Sequence, residues 1–223
     1  MWNQRPGPPS AATSGKSPPL DFFAFAILVA IAAGSWIAIA VLRLAEPGPQ
    51  DRTLTIHGIY DETGHLLTAL MVAAGVRAMR LPIPFWSVLI GGVILDVGHV
   101  MIQLDFSEPI DGSSRNGTHS ILVVALIALG GFVDQRRANL WLGVTIGALS
   151  HLWRDMGTGL VPLAWPISHE IWGTSFTRYM VGLAGLTVAM IGSGALLAIH
   201  ERANRDVAGI TPASVTTSNR AGQ

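Results

Sequence analysis

Hydrophobic residues form long runs along this chain, and short polar stretches separate the runs. Each of six runs approaches the roughly 20 residues that an α-helix needs to cross a bilayer. The pattern therefore predicts an all-α fold, a polytopic membrane helix bundle of about six transmembrane helices. The runs occupy about Phe22–Leu42, Gly64–Met79, Phe85–Leu104, Thr118–Val133, Leu140–Leu152 and Arg178–His200.

The composition agrees with a membrane protein and excludes several other classes. Half of the 223 residues (50%) are hydrophobic and 13% are charged, whereas a soluble domain carries roughly 25% charged residues. The net charge of +0 and the lack of a basic block predict no nucleic-acid partner. The absence of cysteine excludes disulfides, thiolate zinc ligands and cysteine nucleophiles.

The two ends of the chain differ in composition from its centre. Residues 1–19 are rich in proline, serine, glycine and alanine, and residues 204–223 are polar and small, so both are predicted to be disordered tails. The first apolar run lacks a convincing cleavage site, which favours a retained helix over a signal peptide. Residues 20–203 are then one transmembrane helical domain.

Arginine and lysine residues near the helix ends give an orientation. With the N-terminus in the cytoplasm, eight of them lie inside (Arg5, Lys16, Arg77, Arg80, Arg136, Arg137, Arg202, Arg205) and five outside (Arg43, Arg52, Arg115, Arg154, Arg178). Positive residues accumulate on the cytoplasmic side, so this orientation is favoured and the reverse is the alternative.

Four polar motifs interrupt the apolar runs at their ends. Because consecutive helices alternate in direction, all four fall at the same membrane face, which is extracytoplasmic if the N-terminus is inside. Ionisable groups at membrane depth are costly, so their clustering predicts a site. The motifs are Glu62-Thr63-Gly64-His65, Asp96-Val97-Gly98-His99, Arg115-Asn116-Gly117-Thr118-His119-Ser120 and Ser150-His151 through Asp155.

Helical spacing groups these side chains into pairs. Asp61 with His65 and His151 with Asp155 are i, i+4, and Asp96 with His99 are i, i+3, so each pair shares one helix face. Helix bundles build metal sites from histidine and carboxylate on facing helices. The residues that border or enter apolar runs are the strongest candidates: His65, Asp96, His119, His151 and Asp155.

Other interpretations of the polar residues stay open. The alternative for the candidate set is a polar network that holds helices together. We expect His57, His169 and His200 to be solvated. Arg115 and Arg154 would either extend toward headgroups or hold an anionic group beside a metal.

The motifs, in this order, resemble the LexA-binding, inner-membrane-associated hydrolase family, also called membrane-bound metal-dependent hydrolases. Residues 62–67 resemble its opening motif, residues 91–99 its Pro-Asp-x-Asp-His motif, and residues 115–120 its His-Arg-Gly-x-Thr-His-Ser motif. The most specific match is residues 147–166, with Ser150-His151, Asp155 and the segment 161–166. The resemblance covers roughly residues 61–168.

This resemblance implies a bacterial inner-membrane location and metal-site roles for matching positions. Two departures stand out: Gly98 occupies the position of the family's second aspartate, and Ser114 that of the histidine before arginine. These losses are compatible with one metal instead of two, a moved site or lost activity. The implied metal-site residues are His65, Asp96, His99, His119, His151 and Asp155.

Metal-assisted hydrolysis is the leading functional hypothesis. Zinc, or alternatively manganese, would activate a water molecule, with Asp155 or Glu62 as general base and Arg115 offsetting negative charge. A site at the headgroup boundary indicates a lipid or lipid-linked ester, most plausibly a phosphoester. The alternatives are a membrane metal-binding or transport protein, a b-type haem protein, and a degenerate homologue that has lost activity.

Overall fold

The computed structural model describes residues 22–45, 54–99, 104, 106, 110, 111, 113 and 115–209. Within these residues there is no β-sheet, only an isolated bridge between Val161 and Trp172. The all-α prediction is therefore confirmed. The α-helices are α1 (Phe22–Leu44), α2 (Leu54–Ala78), α3 (Phe85–Ile94), α4 (Ile121–Val133), α5 (Ala138–Thr158) and α6 (Phe176–Gly209), with a 3₁₀ turn at Gln135–Arg137 before α5.

Two of these helices are long and apolar enough to cross a membrane. They are α1 and the Phe176–Asn204 part of α6. Both expose large apolar side chains, such as Ile37 at 58% and Val188 at 70%, and a broad apolar surface of this kind suits contact with lipid. The apolar helices Phe85–His99 and Ile121–Val133 are shorter, so the six-span arrangement stays a prediction.

Several helix boundaries differ from the predicted runs. Helix α2 begins at Leu54, ahead of the predicted start at Gly64, because the helix continues through the polar residues that precede the apolar run. Helix α6 continues to Gly209, past the predicted domain boundary at residue 203. The predicted tail 1–19 and residues 210–223 lie outside the described residues.

Glycines bring α3 and α5 into direct backbone contact. A Cβ atom at Gly147 of α5 would lie 2.7 Å from the backbone nitrogen of Gly92 and 2.8 Å from the carbonyl carbon of Gly91. Only hydrogen fits at this crossing, which is how small residues allow close helix association. The contact fixes the end of α3 beside the polar half of α5.

The main apolar core lies between α1, α2, α3 and α6. Its fully buried members include Ile39 of α1, Met71 of α2, Val88 of α3 and Leu183 of α6. A second apolar cluster around Val124 and Leu152 joins α4 to α5. The helices that carry the polar motifs are thus held on several sides by apolar packing.

Candidate metal centre

Five buried side chains from the polar motifs converge between the helices. His65 comes from α2, Asp96 from the turn after α3, His119 from the residues before α4, and His151 and Asp155 from α5. None is more than 6% exposed. We call these five residues the buried cluster. The helix packing brings these five predicted site residues together, and their role as metal ligands stays a prediction.

Asp155 lies at the centre of the buried cluster. Its Oδ2 atom is 3.1 Å from Nε2 of His151 and 3.6 Å from Nε2 of His119. Its Oδ1 atom is 3.3 Å from Nε2 of His65. Ligand atoms bound to one tetrahedral zinc ion at 2.0–2.1 Å lie about 3.3 Å from each other. The ligand atoms of His119, His151 and Asp155 all lie within 4.8 Å of one another, so this set of three fits a single ion.

Asp96 supplies a second carboxylate to the same space. Its Oδ1 atom is 3.6 Å from Nε2 of His119, and its Oδ2 atom is 3.5 Å from Nδ1 of His151. His99 lies at the edge, with Nε2 3.5 Å from Asp96 Oδ1 and a side chain that is 30% exposed. Sets of three ligand atoms within 4.8 Å include Asp96 with His99 and His119, and Asp96 with His65 and His151.

Hydrogen bonds orient two of the histidine rings. Nδ1 of His151 lies 2.8 Å from the carbonyl oxygen of Gly92, which only accepts, so Nδ1 carries the proton. Nε2 is then the ring nitrogen of His151 that faces Asp155. Metal-binding histidines are held in this way by a backbone carbonyl behind the ring.

Thr118 orients the neighbouring ring of His119. The Thr118 hydroxyl lies 2.5 Å from Oδ1 of Asn116 and 3.2 Å from the carbonyl of Leu95, both acceptors, so its proton is used there. Its lone pair must accept from Nδ1 of His119, 3.0 Å away. Nε2 of neutral His119 is consequently unprotonated, and this is the nitrogen that faces the buried cluster and could bind a metal ion.

The atoms that face one another in the buried cluster lack ordinary hydrogen bonds. Within the described part of the chain, no hydrogen-bond partner satisfies the Nε2 atoms of His65, His119 and His151 or the Oδ2 atoms of Asp96 and Asp155. Buried polar atoms are normally satisfied, and a network that served only to join helices would satisfy its members. These nitrogen and oxygen atoms converge without hydrogen bonds, which favours a metal site over such a network.

Arg115 and Asp61 form the flank of the buried cluster. The guanidinium of Arg115 is 5% exposed and pairs with Asp155, and it lies 3.5 Å from Oδ2 of Asp61. Oδ1 of Asp61 is in turn 3.5 Å from Nε2 of His65. Arg115 thus points into the bundle, and the alternative in which it extends toward headgroups does not hold.

Glu62 lies beside the buried cluster and ahead of the predicted span Gly64–Met79. Burial, together with the charge and hydrogen bonding of the adjacent Asp96 carboxyl group, raises the pKa of Glu62 to about 7. A carboxyl group that titrates near neutrality is able to accept and return a proton at physiological pH. This suits the predicted general base.

Two of the remaining histidines are exposed side chains. His169 is exposed, and His200 is exposed and pairs with the side chain of Asn204. The side chain of His57 and the whole of Ser114 lie outside the described residues. Asp61, which the sequence paired with His65 at i, i+4 but did not include among the candidate ligands, also reaches the buried cluster.

The comparison with protein families agrees with the membrane assignment. A family model described as YdjM inner membrane protein matches residues 61–218, which is more than half of the chain. The match starts at Asp61, where the resemblance described above begins, and it includes every member of the buried cluster. No curated protein and no solved structure matches the chain.

Proposed function

The chain belongs to the YdjM inner membrane protein family, and we propose that this member is a membrane-embedded, metal-dependent hydrolase. It acts at the membrane–water boundary on a lipid or lipid-linked ester, with a phosphoester as the preferred class. The observation that carries this proposal is the set of unsatisfied, mutually facing donor atoms of the buried cluster.

The residues of the buried cluster suit a borderline divalent ion. Imidazole nitrogen and carboxylate oxygen are typical zinc ligands, and His119, His151 and Asp155 bring three such atoms together, with His65 and Asp96 beside them. Manganese would also accept this mixture of ligands. When bound, such an ion supplies Lewis acidity and lowers the pKa of a coordinated water molecule to about 7.

The surrounding side chains have separate roles in this proposal. Glu62, with its pKa raised to about 7, takes the proton released during hydrolysis. Arg115 holds the Asp155 carboxylate in place and balances its charge, which leaves Oδ2 of Asp155 free to bind the ion. Arg115 therefore acts mainly as a positioning residue. That Arg115 also offsets negative charge on the substrate stays a prediction.

The two alternatives that use the same residues fit less well. An ion path across the membrane needs ionisable groups along its length. Among the described residues, however, the buried ionisable side chains are those of the buried cluster with Arg115 and Arg154. A bis-histidine haem needs two rings on opposite sides of the iron. Here the ring centroids of His65 and His151 are stacked 3.7 Å apart, and those of His119 and His151 are 5.3 Å apart. These rings lie too close together to bind opposite faces of a haem.

Elemental analysis of detergent-purified protein tests the proposal. We expect about one or two equivalents of zinc or manganese in the wild type and a strong loss in His151→Ala and His119→Ala. His200→Ala is the matched control, because His200 is exposed and remote from the buried cluster, and it should retain the wild-type content. Equal metal content in all of these proteins would refute the ligand assignment.

A further inference from the structure

Arg154 is a second buried arginine, and its environment differs from that of Arg115. Its side chain lies between α2, α5 and α6 and is 6% exposed. Its Nε and Nη1 atoms are buried without a hydrogen-bond partner. Among the described residues, no carboxylate lies within ion-pairing distance of this guanidinium, whereas Arg115 has both Asp61 and Asp155.

The contacts that Arg154 does make are neutral. The polar group of α6 that interacts electrostatically with Arg154 is the Tyr179 hydroxyl. The Thr68 hydroxyl donates to the carbonyl of Gly64 at 2.8 Å, so the Tyr179 hydroxyl donates its proton to Thr68 at 2.6 Å. Tyr179 therefore offers Arg154 a lone pair and no compensating charge.

Gly64 makes the space in which the guanidinium lies. A Cβ atom at this position would overlap the Nη2, Cζ and Nε atoms of Arg154. The planar group thus rests against the bare backbone of α2, one residue before the candidate ligand His65. Any side chain at position 64 would push the guanidinium away from its present position.

A buried positive charge without a counterion is costly, and a planar guanidinium with unused N–H groups is suited to phosphate. We propose that Arg154, with Tyr179 and Gly64, forms the binding site for the phosphate group of a substrate. This inference rests on the proposed function, and it narrows the substrate to a phosphoester whose anionic group binds beside the metal centre. Of the two buried arginines, Arg115 is paired with Asp61 and Asp155, whereas Arg154 has no carboxylate partner among the described residues.

The charges near the metal centre support a ligand of negative charge. Asp61, Asp96 and Asp155 contribute three negative charges and Arg115 one positive charge. One divalent ion would bring this group to neutrality while the neighbouring Glu62 carboxyl group is protonated. Arg154 then remains as an uncompensated positive charge, and one phosphoester anion would balance it.

The test measures thermal unfolding of the detergent-purified full chain against increasing inorganic phosphate and, separately, against dihexanoyl phosphatidic acid. Dihexanoylglycerol is the control that lacks phosphate. We expect both phosphate compounds to stabilise the wild type, with apparent affinities about tenfold or more weaker in Arg154→Gln. Arg137→Gln, which changes an arginine with a 73% exposed side chain, should behave as the wild type.

Two further variants separate geometry from charge. Arg154→Lys keeps the positive charge but lacks the planar fork, and Gly64→Ala keeps the arginine but displaces it, so each should also weaken phosphate binding. Selective stabilisation by the lipid would identify a headgroup as the source, and selective stabilisation by inorganic phosphate would identify a soluble one. Equal stabilisation of wild type and Arg154→Gln, or no stabilisation of the wild type by either compound, would overturn the inference.

Metal analysis of the same samples distinguishes this inference from the proposed function. We expect Arg154→Gln to retain the wild-type metal content while it loses phosphate binding. If the wild type holds no metal but still binds phosphate through Arg154, the hydrolase proposal fails and the phosphate site stands. If metal is present and phosphate binding is independent of Arg154, the phosphate site fails alone.

Discussion

The two carboxylate oxygens of Asp155 face different groups, and this division explains how a fully buried charge is accommodated. Oδ1 pairs with Arg115 and lies close to His65. Oδ2 faces the Nε2 atoms of His119 and His151 and has no hydrogen bond. The negative charge at Oδ1 is thus balanced by Arg115, and Oδ2 remains available to an ion.

Gly98 illustrates how a departure from the family motif is accommodated at single residues. A Cβ atom at position 98 would overlap the side chains of Thr118 and Asn116. Nδ2 of Asn116 also donates to the carbonyl of Gly98 at 3.2 Å. The motif that residues 115–120 resemble has glycine at the position of Asn116. The asparagine therefore fills space that an aspartate at position 98 would need.

We predict that Gly98→Asp is destabilising by about 1–3 kcal/mol or more, because the new side chain overpacks against Asn116 and Thr118. The double variant Gly98→Asp with Asn116→Gly should recover part of this loss, since it empties the space. Thermal unfolding of the purified proteins measures both effects. The explanation would be contradicted if the double variant lost as much unfolding free energy as Gly98→Asp and Asn116→Gly lose together, or more.

A control for backbone effects is available in α6. No atom lies within 4 Å of a Cβ built on Gly192, so Gly192→Ala should leave the unfolding temperature nearly unchanged. Gly98→Ala, compared with it, should lower the unfolding temperature and the metal content, because displacement of Thr118 releases Nδ1 of His119.

The members of the buried cluster could be predicted from the sequence because each is a polar residue at the end of an apolar run. Arg115 and Arg154 could not be distinguished in this way, since both border such runs. Their difference depends on partners far away in sequence, Asp61 for Arg115 and Tyr179 for Arg154. Nothing local to residue 154 indicates that α6 places a phenol there instead of a carboxylate.

At the scale of helices, the crossing of α3 and α5 positions the buried cluster. Gly91 and Gly147 remove side chains from the contact, so Asp96 after α3 meets His151 and Asp155 of α5. Paired glycines such as Gly91-Gly92 favour close helix packing, but the sequence does not show which helices pack together. That choice depends on the complementary surfaces of both helices, and a single sequence does not display such pairings.

We predict that Gly147→Ala separates α3 from α5, because its Cβ would meet the backbone of Val88, Gly91 and Gly92. Backbone atoms yield less easily than side chains, so we expect a loss of about 1–3 kcal/mol in unfolding free energy. Metal content should fall in parallel as Asp96 moves away from His151. Gly34→Ala in α1, where a Cβ meets no atom within 4 Å, is the control. Unchanged metal content in Gly147→Ala would show that this crossing does not position the site.

The N-terminal boundary of α2 lies ten residues before the start of the apolar run that predicted this helix. The predicted run starts at Gly64 because polar residues precede it, but hydrogen bonding continues the helix back to Leu54. Hydropathy reports the transition from water to lipid or core, and it does not report where a helix begins. The extra turns place Asp61 and Glu62 on the same helix as His65, and this brings both carboxyl groups beside the buried cluster.

For the molecule as a whole, the question that bears most on substrate access is how many helices cross the membrane. Two helices are long and apolar enough to do so by themselves. If only α1 and α6 cross, α2 to α5 and the buried cluster lie together on one side. If all six cross, the site lies near one membrane face, and the substrate reaches it from the lipid boundary.

Alkaline phosphatase, which is active only outside the cytoplasm, distinguishes these arrangements when it is inserted at chosen positions. With six spans and a cytoplasmic N-terminus, we predict activity for an insertion after Ser113 and none after Arg136, because α4 crosses between them. An insertion after Gly209 should be inactive and serves as the internal control for α6. Equal activity after Ser113 and Arg136 would show that α4 does not cross the membrane, and the inverse pattern would place the N-terminus outside.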